Sequence, residues 1–262
     1  MNGIHENDDL VIDYDSFLKL GQTVPDWMFQ RMSEAVQPDD VATIVYTSGT
    51  TGVPKGAILT HDNATFTVQS VIMSSDLKKG EETFLFLPLA HIYARLITYT
   101  CIYHGIATTF CRTMDTIIDD IKTARPHFFC SVPRVYEKVY SKVTSGAEAK
   151  GGLAYSIFKW AFAAGYRVSD RIIAGDGIPP LLSFKYSIAD RIVFSKLKNA
   201  LGGRVRFCIS GAAPLEPSIA RFFHAAGILI LEGIGMTENM SYSHVNRVDN
   251  FRFGWVGFPG AG

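Results

Sequence analysis

Short apolar runs of strand length alternate with segments of helical period along most of this 262-residue chain, and few architectures accommodate that order. Val41–Tyr46 (VATIVY), Thr83–Ala90 (TFLFLPLA), His127–Val132 (HFFCSV), Val205–Ser210 (VRFCIS) and Ile228–Leu231 (ILIL) are bounded by turn formers and read as strands. VATIVY, being short and β-branched, reads as a fully buried one. Asp62 is placed as the N-cap of a helix over ATFTVQSVIM. Met114, Ile117, Ile118 and Ile121 then fall at helical spacing, and Arg125-Pro126 stops that helix. Val135, Val139 and Val143 line another helix face, and Ile219, Phe222, Phe223 and Ala226 a third. The order predicts an α/β protein with mixed or parallel sheets and helices on both faces.

Lys and Arg balance Asp and Glu at 25 each, so nothing global argues for a nucleic-acid partner. Cys101, Cys111, Cys130 and Cys208 are far apart in apolar company, without CxxC or His-Cys ligand spacing. They read as buried free thiols in a reducing cytoplasm. No secretory signal pattern opens the chain, and AAGILIL is too short to span a bilayer, so the chain reads as soluble and cytoplasmic. Residues 1–40 form an acidic, polar peripheral segment ending in QPDD, and 41–262 the core. Lys150–Arg206 reads as mostly helical and carries ten Lys/Arg against three Asp/Glu. That bias suits a solvated helical face, or a positive surface for an anionic cofactor or a peripheral membrane contact.

The segment YTSGTTGVPKGAILTH (46–61) places glycines, hydroxyls and one lysine directly after the VATIVY run. A strand feeding a glycine-rich turn and then a helix presents backbone N–H groups at the sheet's carboxyl edge, which is a phosphate-binding arrangement. Thr47, Ser48, Thr50 and Thr51 add neutral donors, Gly49 and Gly52 permit close approach, and Lys55 adds a mobile charge. A plain Ser/Thr/Gly linker is the bland reading, but Val53-Pro54-Lys55-Gly56 stiffens the far end. A Walker A loop fails, because neither glycine has Gly-Lys-Ser/Thr at the required distance.

YTSGTTGVPKG resembles the phosphate-binding signature of the AMP-forming, adenylate-forming ligase superfamily, and further matches follow in that family's order. LPLAHIYAR (87–95) is similar to the segment whose histidine, here His91, lies beside the acyl carboxylate and the α-phosphate. SGAAPL (210–215) resembles the adenine-pocket loop, with Ala212 and Ala213 at the contacting positions. EGIGMTEN (232–239) resembles the motif whose Gly233, Ile234 and Gly235 flank the nucleotide, whose Thr237 reaches the α-phosphate and whose Glu238 holds Mg²⁺; Thr47 is the second candidate metal ligand. VPRVYEKVY and LPLAH are most similar to the long-chain acyl-CoA synthetase branch.

The resemblance implies activation of a fatty acid by ATP to acyl-AMP, then transfer to coenzyme A. His91, Thr237 and Glu238 are its expected catalytic groups. By placement alone His91 reads more readily as a satisfied core histidine than as a functional one, and Thr237-Glu238 also suits a helix-start role. Two positions depart from the family pattern: Ile234 stands where many relatives carry an aromatic residue, and Ala94 precedes Arg95 where a Glu is common. Arg95 reads as a gate, a carboxylate guide or a surface charge. Tunnel depth is expected to depend on Phe66, Val68, Tyr93 and the helices after Ala154. An amino-acid-activating relative would place an Asp near His91, and LPLAHIYAR offers none. An aryl-acid ligase and a non-catalytic nucleotide- or acyl-binding relative also compete with the fatty-acid reading. The chain ends in mid-turn at GWVGFPGAG, and the first N-terminal subdomain and mobile C-terminal domain implied by the resemblance are absent. The chain alone is therefore expected to form adenylate very slowly or not at all. The sequence leaves the oligomeric state open.

Overall fold

The computed structural model describes residues 12–47 and 52–261, so Ser48, Gly49, Thr50 and Thr51 of the glycine-rich loop lie outside the described residues. The chain divides into two compact units at Asp40/Val41. In the first, α1 (Tyr14–Gly21) is capped by Asp13, whose carboxylate accepts from Ser16 N at 2.9 Å, and α2 (Asp26–Ala35) starts directly after Pro25; neither buries a side chain.

The second unit begins with a hairpin of β1 (Val41–Thr47) and β2 (Lys55–Thr60), followed by α3 (His61–Ser74), β3 (Glu82–Leu85), α4 (Ile92–His104), β4 (Ala107–Phe110) and α5 (Ile117–Ala124). After β5 (Phe128–Ser131) come the helices α6 (Pro133–Lys150), α7 (Gly152–Ala174) and α8 (Pro180–Ala189), a π-helical turn over Asp190–Phe194, and α9 (Ser195–Ala200). β6 (Phe207–Ser210), α10 (Pro217–Ala225), β7 (Leu229–Ile234), β8 (His244–Val245) and β9 (Phe258–Pro259) complete it. The sheet order is β4-β3-β5-β6-β7-β8-β9, parallel from β4 to β7 and antiparallel beyond.

The expected α/β class holds, and the alternation of side chains along each strand explains it. Phe84, Phe129, Cys208 and Ile230 enter one core with α6, α7 and α10, whereas Leu85, Phe128, Cys130, Phe207 and Leu231 enter the other with α4. With both faces covered, the central strands must read as continuous apolar runs. In the first core Phe162 of α7 stacks on Phe222 of α10, centroids 4.3 Å apart. Gly165 lets those two helices close, because a Cβ there would sit 2.5 Å from the Ala225 carbonyl oxygen. Cys101, Cys130 and Cys208 are buried and Cys111 is half-buried; all four thiols are free, and burial pushes Cys130 up to about 12.

Two expectations about the chain's entry into the core are corrected. VATIVY does not feed the loop into a helix: β1 pairs antiparallel with β2, in register Thr47↔Lys55 through Val45↔Ala57. Nor is it buried on both faces. Val45 is enclosed, while Ile44 and Tyr46 are exposed, because a two-stranded hairpin covers one face only. The cap of α3 is Thr60, not Asp62. Asn63 N donates to Thr60 Oγ1 at 3.2 Å and Thr60 N to Asn63 Oδ1 at 3.1 Å, a reciprocal box that places Asp62 in the first turn.

His224 at the end of α10 lies edge-on to Phe251 and Phe253, with Nδ1 2.7 Å from Ser169 Oγ. Burial lowers its pKa from 6.5 to about 4. The unfolded chain therefore takes up a proton that the folded chain refuses between those values, and stability falls as pH drops from about 6.5 towards about 4, by up to ~3 kcal/mol. Calorimetric melting across that window should show His224→Gln, which keeps a partner for Ser169, losing part of the wild-type slope. Parallel profiles would remove His224 as the cause.

Candidate active site

The carboxyl edge of the parallel strands gathers most of the described candidate residues. After β6 the chain turns through Gly211 and Ala212, the latter held at φ 70°, a left-handed conformation costly for a residue with a Cβ. Beneath this loop Glu232 is buried, accepting from Leu215 N at 3.2 Å and from Gly254 N at 2.9 Å. Burial raises its pKa, and the two amides oppose that shift. Glu232 thus ties the Ala212 loop to the Gly254 segment. The sequence did carry a signal for it: a lone acid inside the apolar β7 run.

Beyond Ile234 the chain reverses through a 3₁₀ turn, Thr237–Asn239, in which Asn239 Oδ1 accepts from Met236 N at 2.8 Å. Met240 and Ser241 follow at φ 61° and 65°. His91 is the N-cap residue of α4; its side chain is exposed and makes no hydrogen bond among the described residues. The core-histidine reading of His91 therefore falls.

A cavity of about 460 Å³ joins these pieces. His91, Ala212, Gly233, Ile234, Gly235 and Thr237 line it from the carboxyl edge. Leu96, Ile97, Thr100 and Cys101 line it from α4, with Phe128, Phe207 and Leu231 from the sheet. His91 to Cys101 spans ten helical steps, so the cavity follows α4 for about 15 Å. Its lining is mostly carbon. Tyr93 OH, Thr100 Oγ1, Ser210 Oγ, Tyr242 OH and Arg247 Nε are buried without a partner among the described residues, and all five residues belong to this lining. Polar atoms of this kind, facing an otherwise apolar space, are points at which water or a ligand's polar groups can be received.

Of the residues expected to set tunnel depth, Tyr93 lines this cavity. Phe66 lines a neighbouring cleft instead, Val68 lines neither, and the helices after Ala154 pack in the core on the opposite side of the sheet. Their apolar stripes serve the other sheet face, which a linear reading does not distinguish.

Glu238 does not line the long cavity. It faces the neighbouring cleft with Asp62, Asn63 and Tyr242, exposed and without an ion pair among the described residues. Ala213 is exposed and outside the long cavity. Thr47 and Lys55 stand opposite each other where β1 and β2 open into the glycine-rich loop, Thr47 Oγ1 donating to Lys55 O at 3.4 Å; Gly52 follows the loop at φ 84°.

The hairpin is fastened to the rest by Val45, Leu59, Ile92 and Met240, one buried cluster whose members neighbour His91 and the Thr237–Asn239 turn. Arg95 reinforces it: Nε donates to Leu89 O at 2.7 Å and Nη1 to Thr43 Oγ1 on β1. Arg95 is a strut between α4 and the hairpin.

Among the described residues no group of three or more His, Cys, Asp and Glu side chains could hold a metal. Glu238, in the cleft beside Asp62, offers one carboxylate, and Thr47, at the mouth of the β1–β2 hairpin, one hydroxyl. Mg²⁺ commonly takes one or two carboxylates and completes its shell with water and phosphate oxygens, so groups of this chemistry suit an ion that arrives with a nucleotide.

The sequence profile described as "AMP-binding enzyme" matches residues 3–262. "Long chain acyl-CoA synthetase 6, peroxisomal" of Arabidopsis thaliana is 38% identical over 252 residues, covering 95% of this chain and 34% of that protein. "Long-chain-fatty-acid--CoA ligase ACSBG2" of Homo sapiens is 33% identical over 245 residues, covering 91% and 36%. The chain thus spans about a third of the length of these curated relatives. Among solved structures, the N-terminal domain of FACL13 from Mycobacterium tuberculosis superposes with a TM-score of 0.56 at 17% identity, covering 90% of this chain and 45% of that one. The anthranilate CoA ligase AuaEII in complex with anthranoyl-AMP gives 0.56 at 21%, covering 86% and 34%. At such identities the likeness is one of fold.

Proposed function

The chain belongs to the AMP-binding enzyme family, and on that premise we propose that it carries the nucleotide- and acyl-binding part of an ATP-dependent long-chain acyl-CoA synthetase. The reaction is activation of a fatty-acid carboxylate to acyl-AMP with release of pyrophosphate, then attack of the coenzyme A thiol on the acyl carbon to form the thioester and release AMP. One observation carries the reading: a carbon-lined cavity runs about 15 Å along α4 and has His91, Ala212 and Thr237 in its wall. An acyl chain in that cavity would have its carboxylate beside His91 and Thr237.

In this arrangement Ala212, Gly233, Ile234 and Gly235 form the adenine wall. Ile234 packs as an aliphatic surface. Thr237 donates to the α-phosphate, and His91, at the positive end of α4, faces the carboxylate and the charge that develops as it attacks phosphorus. Thr47, Lys55 and the intervening loop Ser48, Gly49, Thr50, Thr51 and Gly52 hold the leaving pyrophosphate; Ala213 supports the adenine loop from outside. Magnesium, when bound with the nucleotide at Glu238 and Thr47, neutralises phosphate charge. The step needs alignment and charge stabilisation, which these residues provide without covalent catalysis.

The test is ATP–pyrophosphate exchange by the gene product that carries this chain, with fatty acids of increasing length, benzoate and an amino acid in parallel. Exchange should rise with fatty-acid length and be weak with the other two. A maximum with benzoate or the amino acid would overturn the substrate class, and ATP·Mg²⁺ binding without exchange for any acid would overturn the ligase reading.

A further inference from the structure

Five buried polar atoms without a hydrogen-bond partner among the described residues belong to side chains lining the long cavity, and the proposed reaction accounts for two of them. Tyr93 stands just after His91, and its hydroxyl lies against the Gly211 turn, where an added Cβ would come within 3.4 Å of it. Ser210 closes β6 beside that turn. Both belong to the end of the cavity assigned to the nucleotide and the reacting carboxylate. Thr100, Tyr242 and Arg247 remain. Thr100 is nine helical steps beyond His91 on α4, about 13 Å along the cavity. Asn246 N donates to Glu232 O at 2.9 Å, which brings Arg247 level with Leu231, about 10 Å below Ile234 at the sheet's carboxyl edge. Ile97, Phe128, Phe207 and Leu231 give the wall between a surface of carbon.

Arg247 is a cation without an anion. Its Nε is buried and unpartnered, and Nη2 reaches Pro259 O at a long 3.4 Å. It enters no ion pair among the described residues. Asp76 is the one carboxylate among the described residues of the cavity wall, and Arg206 already holds it at 2.5 Å. Tyr242 adjoins the cation: burial raises its pKa, while Ser74 and the Arg247 charge oppose the shift. A guanidinium set in a carbon-lined wall is costly unless an anion meets it, and a planar carboxylate can meet it with two parallel bonds. We propose that the cavity selects a long-chain dicarboxylic acid, whose second carboxylate binds Arg247 and accepts from the Thr100 and Tyr242 hydroxyls.

The inference rests on the ligase reading and names the substrate class of that same site. A plain alkyl terminus at this depth leaves all three polar groups unpaired, and a site built to bond a polar group rejects the analogue that lacks it. The nucleotide does not supply the missing anion, because on the ligase reading its phosphates meet Thr237 at the carboxyl edge, above the level of Arg247. The carboxylate beside His91 attacks the α-phosphorus and pyrophosphate leaves. The distal carboxylate stays ionised and takes no part in bond making.

Dodecanedioate, whose extended length matches that reach, is compared with dodecanoate and ω-hydroxydodecanoate in pyrophosphate exchange and in calorimetric binding, using the gene product that carries this chain. Dodecanedioate is expected to exceed dodecanoate by about ten- to hundredfold in kcat/KM, with the ω-hydroxy acid between them. Arg247→Leu should abolish that preference by raising KM for dodecanedioate, while exchange with dodecanoate is equal or better, a result that a damaged fold cannot give. Arg247→Lys should recover part of the preference. Should Arg247→Leu lose exchange with dodecanoate as well, Thr100→Val, which keeps the shape and removes a donor, decides through the same ratio and is expected to lower it. Equal use of the mono- and dicarboxylate, a preference unchanged in these variants, or a better ω-hydroxy acid overturns the proposal and leaves the ligase reading standing, since dodecanoate still exchanges. Absence of exchange with every acid overturns the ligase reading instead. The binding comparison then decides the proposal: tighter dodecanedioate that depends on Arg247 supports it, and equal binding of the two acids overturns it.

Discussion

Glu238→Gln should slow pyrophosphate exchange by about two to three orders of magnitude while leaving the fold unchanged. The carboxylate is exposed, belongs to no ion pair among the described residues and sits in a cleft instead of a packed core, so its removal costs little stability. The amide keeps the shape and loses the charge. If Glu238 anchors the ion that accompanies the triphosphate, the loss should appear chiefly in kcat and should be partly recovered at raised Mg²⁺. Asp62 lines the same cleft and is the natural control. A large loss in Asp62→Asn beside near-normal exchange in Glu238→Gln would transfer the metal role to Asp62. Unchanged rates in both would remove the cleft from the mechanism.

Gly235→Ala is expected to produce a large structural effect from a single added methyl group. A Cβ at that position falls inside the van der Waals envelope of the Ser241 carbonyl and lies 2.6 Å from Tyr242 N. These are backbone atoms, so no side-chain rotation relieves the contact. The segment they belong to is already committed, with Met240 and Ser241 in the left-handed region and Ser241 N donating to Met236 O at 2.8 Å. A destabilisation of about 3 kcal/mol or more follows, with loss of nucleotide binding because the same turn presents Thr237 and Glu238. Thermal melting and nucleotide titration check it against Gly146→Ala in α6. An added Cβ there meets nothing within 4 Å, and a gain of about 0.5–1 kcal/mol is expected. Equal melting temperatures for the two variants would contradict the packing argument.

The strands of the parallel sheet were legible in the residues for a definite reason. Phe128-Phe129-Cys130 and Phe207-Cys208-Ile209 have apolar partners on both faces, and continuous burial leaves a continuous apolar run. The hairpin was not legible, because VATIVY has the same composition as a doubly buried strand. Nothing local marks that Ile44 and Tyr46 face outward, or that a second strand separates the loop from α3. Arg95 could not be ranked among its three readings because its partner, Thr43, lies 52 positions away. That the helices after Ala154 pack on the sheet face opposite the long cavity was not legible for a related cause: an amphipathic stripe states that a helix has a buried side, not which face of the sheet it covers.

What the chain's own order of residues determined is the α/β class, the places where strands give way to loops, and the motifs through which family membership is recognised. These are local properties, set by side-chain period, turn chemistry and short strings. Tertiary structure alone decided that His91, the Ala212 loop and Thr237 share one cavity while Glu238 turns into the next cleft. It also brought Val45 and Met240, nearly two hundred positions apart, into one cluster that holds the β1–β2 hairpin against the rest. Such placements follow from how packed faces close on one another, a condition on the whole chain that no segment carries by itself.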